Sequence, residues 1–230
     1  MEPVVAVVVA AGAGVRLGGT EPKALRLLNG RPLVSYCLEG LAAGGVDRAV
    51  VVIAPGTEAD FEAALADSPI PAVYVHGGED RAASVEAGLA AMAGDPAFDG
   101  SRYVLVHDAA RALVPGAVVA RVIAALREGA SGCVPVMPVV DTVRQLTDDG
   151  SVVIDRSQLR LVQTPQGFER SVLVAALVQA RQGGLQITDD ASAVAAAGVP
   201  IVLVEGSRDA LKVTEPLDLV LAEAIERSRR

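Results

Sequence analysis

Six apolar, β-branched runs alternate along this chain with Ala- and Leu-rich stretches of helical character, and that alternation leaves few folds open. The runs cover residues 4–10, 49–54, 72–75, 103–107, 132–138 and 201–204. Between them, residues 33–43, 57–66, 81–92, 116–127, 171–181 and 216–227 carry the helical pattern. Strands that are apolar almost throughout must be covered on both faces, and the intervening helices supply the cover. The reading is therefore α/β, a mostly parallel sheet with helices on both sides. At 230 residues the chain suits one domain, 1–230. There is no Trp, so Val, Leu, Ile and Ala must fill the interior.

The formal net charge of -8 argues against nonspecific binding to nucleic acid, which needs a basic face. A phosphorylated small molecule stays admissible, because a few converging cations make a local positive pocket. Two cysteines, Cys37 and Cys133, are too few for a disulfide framework and sit in apolar surroundings, as buried reduced thiols do. No secretory n-region precedes the first strand, and its apolar run is far shorter than the ~20 residues that span a bilayer. A cytoplasmic enzyme is the expectation.

The first strand runs into Ala11-Gly12-Ala13-Gly14-Val15-Arg16-Leu17-Gly18-Gly19, with Pro22-Lys23 close behind. Glycines let a backbone approach a ligand closely, and exposed amide N–H groups line phosphates. Arg16 and Lys23 add full positive charge. This is not a P-loop, which needs Gly-x-x-x-x-Gly-Lys followed by Ser or Thr. Nor is it a dinucleotide fingerprint, because Leu17 stands where the third glycine belongs. A plain tight turn is the alternative; the two cations favour a nucleoside triphosphate.

The strand at 103–107 ends in His107-Asp108-Ala109-Ala110-Arg111. Asp108 would stand on the same rim as the glycine loop, the edge where such sheets bind ligands. Mg²⁺ is held by one or two carboxylates plus substrate phosphates, so a lone Asp here fits a metal shared with a triphosphate. An Asp capping the next turn is the other reading. His107 and His76 occur in different loops with no ligand partner at short spacing, which disfavours zinc and histidine-base chemistry. A third loop, His76-Gly77-Gly78-Glu79-Asp80-Arg81-Ala82-Ala83-Ser84, precedes a helix; Gly78 brings backbone close and Ser84 is placed to bond a base edge. Its acids also suit a helix N-terminus electrostatically.

Residues 141–154 break the alternation and read as two short strands around Asp149-Gly150. A two-stranded ribbon alone is marginal in water, so it must pack on something, another subunit or its own sheet.

These loops together resemble the 2-C-methyl-D-erythritol 4-phosphate cytidylyltransferase family. The likeness also takes in Asp141-Thr142, Asp155-Arg156, Thr164-Pro165-Gln166, Ile187-Thr188-Asp189-Asp190-Ala191-Ser192, Val204-Glu205-Gly206 and Leu211-Lys212-Val213-Thr214, in order. It implies a single Rossmann-like nucleotidyltransferase domain with a protruding β-hairpin arm, residues 139–158, that reaches across a homodimer. The implied reaction joins CTP to the sugar-alcohol phosphate and releases pyrophosphate, with Mg²⁺ or another divalent cation held by Asp108. Arg16, Lys23, Arg156 and Lys212 match the catalytic cations. Ala10, Ala11, Gly12, Ala13, Gly14, Gly78, Glu79, Ser84, Asp108 and Ala109 match the nucleotide site. Arg111, Thr142, Arg156, Thr164, Thr188 and Lys212 match the acceptor site. The chain departs from the family's common pattern at Val9 and Ala112, where Pro is frequent, and at Arg144, where Lys is frequent. The same chemistry on another sugar-alcohol phosphate, such as ribitol 5-phosphate, is the nearest rival. A glycosyltransferase would want Asp-x-Asp, which Asp108-Ala109-Ala110 lacks. A non-catalytic CTP-binding regulator would have no use for four retained cations.

Overall fold

The computed structural model describes residues 2–18, 21–185 and 187–229; Gly19 of the opening loop lies outside them. Among the described residues the strands run in chain order as β1 (Val4–Val9), β2 (Leu27–Leu28), β3 (Arg31–Pro32), β4 (Arg48–Ile53), β5 (Ala72–His76), β6 (Tyr103–Asp108), β7 (Gly132–Pro138), β8 (Val143–Thr147), β9 (Gly150–Ile154), β10 (Arg160–Val162), β11 (Gln166–Glu169) and β12 (Val202–Glu205). The α-helices are α1 (Leu33–Ala43), α2 (Glu58–Ala64), α3 (Arg81–Gly94), α4 (Gly116–Arg127), α5 (Arg170–Gln182), α6 (Asp190–Ala196) and α7 (Pro216–Ser228).

The main sheet runs β10-β7-β11-β6-β1-β4-β5, with β12 pairing along β7. β6, β1, β4 and β5 are parallel to one another, as expected. Side chains on a strand alternate between faces, and here both faces are buried. Val4, Ala6 and Val8 of β1 join Ala49, Val51 and Ile53 of β4 in a core sealed by α1, α2 and α4. Val5 and Val7 join Val50 and Val52 in the opposite core, sealed by α3, α5 and α6.

The sheet departs from the expected alternation at β11, an antiparallel strand inserted between β6 and β7. It is four residues long, Gln-Gly-Phe-Glu, with no apolar run to announce it. α6 and the short β10 likewise add to the expected elements. The hairpin forms as expected in kind, yet Thr147 pairs with Gly150, so the loop is Asp148-Asp149 and Gly150 opens β9. Gly150 takes φ 139, so its left-handed freedom is spent at the strand start and not inside the turn. β8 and β9 make a separate two-stranded sheet, and Leu146, Val152 and Val153 on it are exposed.

A smaller cluster matters most for the site. Leu17, Leu28, Leu33, Tyr36, Ala112, Leu113, Val213 and Ala222 pack together beside the sheet edge. Leu17 follows Arg16, Ala112 follows Arg111, and Val213 follows Lys212. Ala24 and Leu25, which follow Lys23, are buried in the adjoining core. Burying each neighbour fixes where four cations emerge, without fixing the cations themselves.

Candidate active site

Register brings the two principal loops together. Val9 is paired with Asp108 at the ends of β1 and β6, and Ala109 N–H donates to the Val9 carbonyl at 3.1 Å. Beyond them the chain opens into a cleft of about 410 Å³ lined by Ala10, Ala11, Gly12, Ala13, Lys23, Gly78, Glu79, Arg81, Ser84, Asp108, Ala109 and Lys212, among others. The opening loop is folded back on itself. Lys23 N–H donates to the Gly12 carbonyl at 3.2 Å, and Leu17 N–H to that of Gly14 at 2.8 Å. Gly14 takes φ 64, and a Cβ built there would stand 2.8 Å from Lys23 Cβ, so only glycine gives both the turn and the close approach.

Asp108 is the electrostatic centre. Lys212 Nζ lies 2.7 Å from its Oδ2 and Arg81 Nε 3.2 Å from its Oδ1. Burial opposes its ionisation, but Arg81 and then Lys212 outweigh that and hold the carboxyl well below the usual carboxylate range. Lys23 shows the opposite balance. Burial lowers its pKa, the like charge of Lys212 lowers it further, and Asp108 opposes both. Two ammonium groups crowded in a half-buried cleft favour the arrival of an anion, even though Glu79 and Asp80 make another wall acidic. The Lys212 loop is pinned by Val213 N–H donating to the Ala110 carbonyl at 2.8 Å.

Of the expected residues, Thr164 and Arg111 stand behind the cleft lining. The buried Thr164 hydroxyl accepts from Asp108 N–H at 3.1 Å and lies 3.0 Å from His107 Nδ1. His107 Nε2 lies 3.3 Å from the Arg111 carbonyl. With a neutral ring protonated at Nε2, every one of these contacts is satisfied: the Thr164 hydroxyl donates to Nδ1, and Nε2–H donates to the carbonyl. Burial pushes the His107 pKa down to about 4, which agrees with that state. Arg111 donates to the carbonyls of Ala210 at 2.8 Å and Val162 at 3.3 Å, tying together the loops that lead to Lys212 and Thr164. Ser84 Oγ is occupied in holding its own loop, accepting from Gly78 N–H at 3.2 Å and donating to the Asp80 carbonyl at 2.9 Å. A base edge would have to share it.

Others lie away from the cleft in the single chain. Arg16 is exposed, close enough to Lys23 to lower its pKa but outside the lining. Thr142, Arg156 and Thr188 are exposed, and Arg156 donates to the Val140 carbonyl at the base of the arm. Arg81 and Asp190 are the site residues that sequence reasoning passes over. Both stand inside quoted motifs, but nothing in their spacing signals that they meet.

The family model described as 2-C-methyl-D-erythritol 4-phosphate cytidylyltransferase (IspD) matches residues 4–228. The chain belongs to this family. A cytidylyltransferase of that name from Streptomyces avermitilis is 46% identical over 239 residues, covering 98% of this chain and 92% of the relative. Among solved structures, the Thermus thermophilus family member is 38% identical with a TM-score of 0.78, covering 96% of this chain and 98% of that one. The Anaerococcus prevotii 4-diphosphocytidyl-2C-methyl-D-erythritol synthase is 25% identical with a TM-score of 0.84, covering 98% and 96%. Membership accords with the cleft, whose two lysines and one aspartate converge from three separate segments of the chain. No helix among the described residues is long and apolar enough to cross a membrane.

Proposed function

We infer that this chain joins CTP to 2-C-methyl-D-erythritol 4-phosphate, giving the cytidine diphosphate alcohol and pyrophosphate. The observation that carries the reading is the meeting of Lys23, Lys212 and Asp108 at the carboxyl ends of β1 and β6. A phosphate oxygen of the acceptor attacks the α-phosphorus of CTP, and the bond to the pyrophosphate oxygen breaks on the opposite side. A phosphomonoester is largely ionised near neutral pH, with its second pKa near ~6, so no general base is required. His107 fits that view, since both its ring nitrogens face partners inside the protein. Catalysis then rests on holding two anions together and stabilising charge on the phosphoryl oxygens. Lys23 and Arg16 serve the nucleotide phosphates, and the backbone of Ala10 to Gly14 with Gly78, Glu79 and Ser84 cradles the cytidine. Lys212 and Arg156 align the attacking phosphate, with Arg111, Thr142, Thr164 and Thr188 around the acceptor.

The residues fit a divalent cation of the phosphate-bound kind. Among the described residues no three acidic, His or Cys side chains gather into a metal cage, whereas Asp108 offers one ionised carboxylate beside the lysines. Asp108 would hold Mg²⁺, which when bound neutralises phosphate charge.

The arm, residues 139–158, is read as a dimerisation element that carries Thr142 and Arg156 to a second subunit's cleft. Its exposed Leu146, Val152 and Val153 support this, because an apolar ribbon gains from cover. The reduced, buried thiols accord with a cytoplasmic setting. A pyrophosphate-release assay with CTP tests the reading. Turnover is expected with 2-C-methyl-D-erythritol 4-phosphate and at least a hundredfold less with ribitol 5-phosphate; equal rates, or none with either, would overturn it.

A further inference from the structure

Arg81 opens α3 on the rim of the cleft, and its guanidinium is shared between two carboxylates. Nε lies 3.2 Å from Asp108 Oδ1, and a terminal nitrogen lies 2.8 Å from Asp190 Oδ2. Asp190, the first residue of α6, stands outside the cleft lining and is 1% exposed. Its place is fixed by hydrogen bonds that do not involve Arg81. Asp189 caps the helix, accepting from Ser192 N–H at 2.9 Å, while its own N–H donates to Ser192 Oγ at 3.3 Å. Gln166 of β11 donates to Asp189 Oδ2 at 2.7 Å and accepts from Ala191 N–H at 3.0 Å. The carboxylate that meets Arg81 is thus presented by a frame built into the sheet.

A guanidinium bordering a phosphate pocket on a flexible stem ordinarily turns its fork toward the anion. Here the fork is held at two separated nitrogens by carboxylates on different elements, through a hydrogen bond from Nε to Asp108 and an ion-pair contact with Asp190, which together fix its position. We propose that Asp190 is a positioning residue: it anchors Arg81 so that the guanidinium stays against Asp108 and out of the triphosphate's path. The proposal rests on reading the cleft as the CTP site. With Arg81 held, Asp108 keeps one oxygen fixed while Lys212, on the other, remains available to the substrate phosphates. Without the anchor, Arg81 swings onto the nucleotide and Asp108 loses its orientation.

Asp190→Asn keeps the shape and removes the charge. It is expected to lower kcat about 10–100-fold, the usual loss when an outer-shell partner is removed, with the KM for CTP changed less than threefold. In an Arg81→Met background the same substitution is expected to cost less than twofold, because the residue acts through Arg81. Equal losses in both backgrounds would mean a role independent of Arg81 and would overturn the proposal. A nitrogen NMR signal for Arg81 Nε supplies a readout apart from turnover. It is expected to shift and broaden in Asp190→Asn and stay sharp in the native chain; an unmoved signal would also overturn it. Should Asp190→Asn fail to fold, Arg81→Lys decides the matter, since an ammonium cannot span both carboxylates. It should lose a similar 10–100-fold, and full activity would contradict the anchor. Absence of pyrophosphate release by the native enzyme would instead defeat the functional reading, and the NMR comparison would still report on the anchor.

Discussion

Lys212 Nζ stands 2.7 Å from Asp108 Oδ2 across 104 residues of sequence. The pair joins the loop before α7 to the end of β6. Arg81 occupies the other oxygen, so Asp108 is the point at which three remote segments agree on one geometry. Replacing it by Asn removes the charge that both cations share. Turnover is expected to fall ~10²–10³-fold, the scale of losing a preorganised electrostatic group. The dependence on magnesium should weaken too. A magnesium titration that matches the native curve would remove Asp108 from any metal role.

Lys23 separates function from stability. Burial and Lys212 both disfavour its charged form, so the fold gains little from keeping an ammonium there. Lys23→Ala should lose at least ~10²-fold in kcat while its thermal midpoint stays level or rises. Near-native turnover would show that the ammonium is not aimed at the reacting phosphates.

Two glycines two residues apart should answer differently. Gly14→Ala forces a Cβ into a left-handed position and against Lys23, a cost of about 1–2 kcal/mol in stability. A Cβ on Gly12 meets nothing within 4 Å, because it points into open space beside the cleft. Gly12→Ala should therefore melt like the native protein yet bind CTP more weakly. Thermal denaturation and calorimetric CTP titration of both variants read the two effects.

Acid should destabilise the fold through His107. Its pKa sits at about 4 in the folded state against 6.5 in an exposed histidine, because burial disfavours the cation. The unfolded chain then binds more protons between those values, so stability is intact above pH 6.5 and is lost as pH falls toward 4. The full loss is about 3 kcal/mol at ~1.36 kcal/mol per pKa unit. Asp108, whose folded pKa is depressed, loses its contribution only at still lower pH. Urea melts from about pH 7.5 to about pH 4.5 should show this slope, and His107→Asn should flatten it.

Both thiols should be silent in the folded protein. Cys37 and Cys133 are fully buried, and burial raises both pKa values, that of Cys133 to about 12. Reaction with a thiol reagent should require denaturant; rapid labelling under native conditions would contradict the packing of α1 and β7.

What the residue order discloses follows from physics that acts locally. β1, β4 and β6 are legible because burial on both faces demands unbroken apolar runs. The glycine loop and Lys23 are legible because their chemistry is concentrated in about a dozen residues. β11 is not, since Gln166 is buried by virtue of bonds to α6, a partner that no pattern within the strand reveals. Arg81 and Asp190 escape for the same reason: two charges far apart in sequence meet only when the sheet has folded. Ser84 belongs at the cleft as its loop suggests, but its hydroxyl is spent on that same loop. The hairpin turn falls one residue earlier than its Asp-Gly pair indicates, because Gly150 serves the strand start and not the loop.

The most direct test is a crystal structure with CTP and magnesium bound. The triphosphate is expected against Lys23, with an ammonium-to-oxygen separation of ~2.7–3.2 Å, its α-phosphate turned toward Lys212 on the acceptor side, and the base between the opening loop and the Gly78–Ser84 wall. CTP seated elsewhere, with Lys23, Lys212 and Asp108 left facing only one another, would contradict the account.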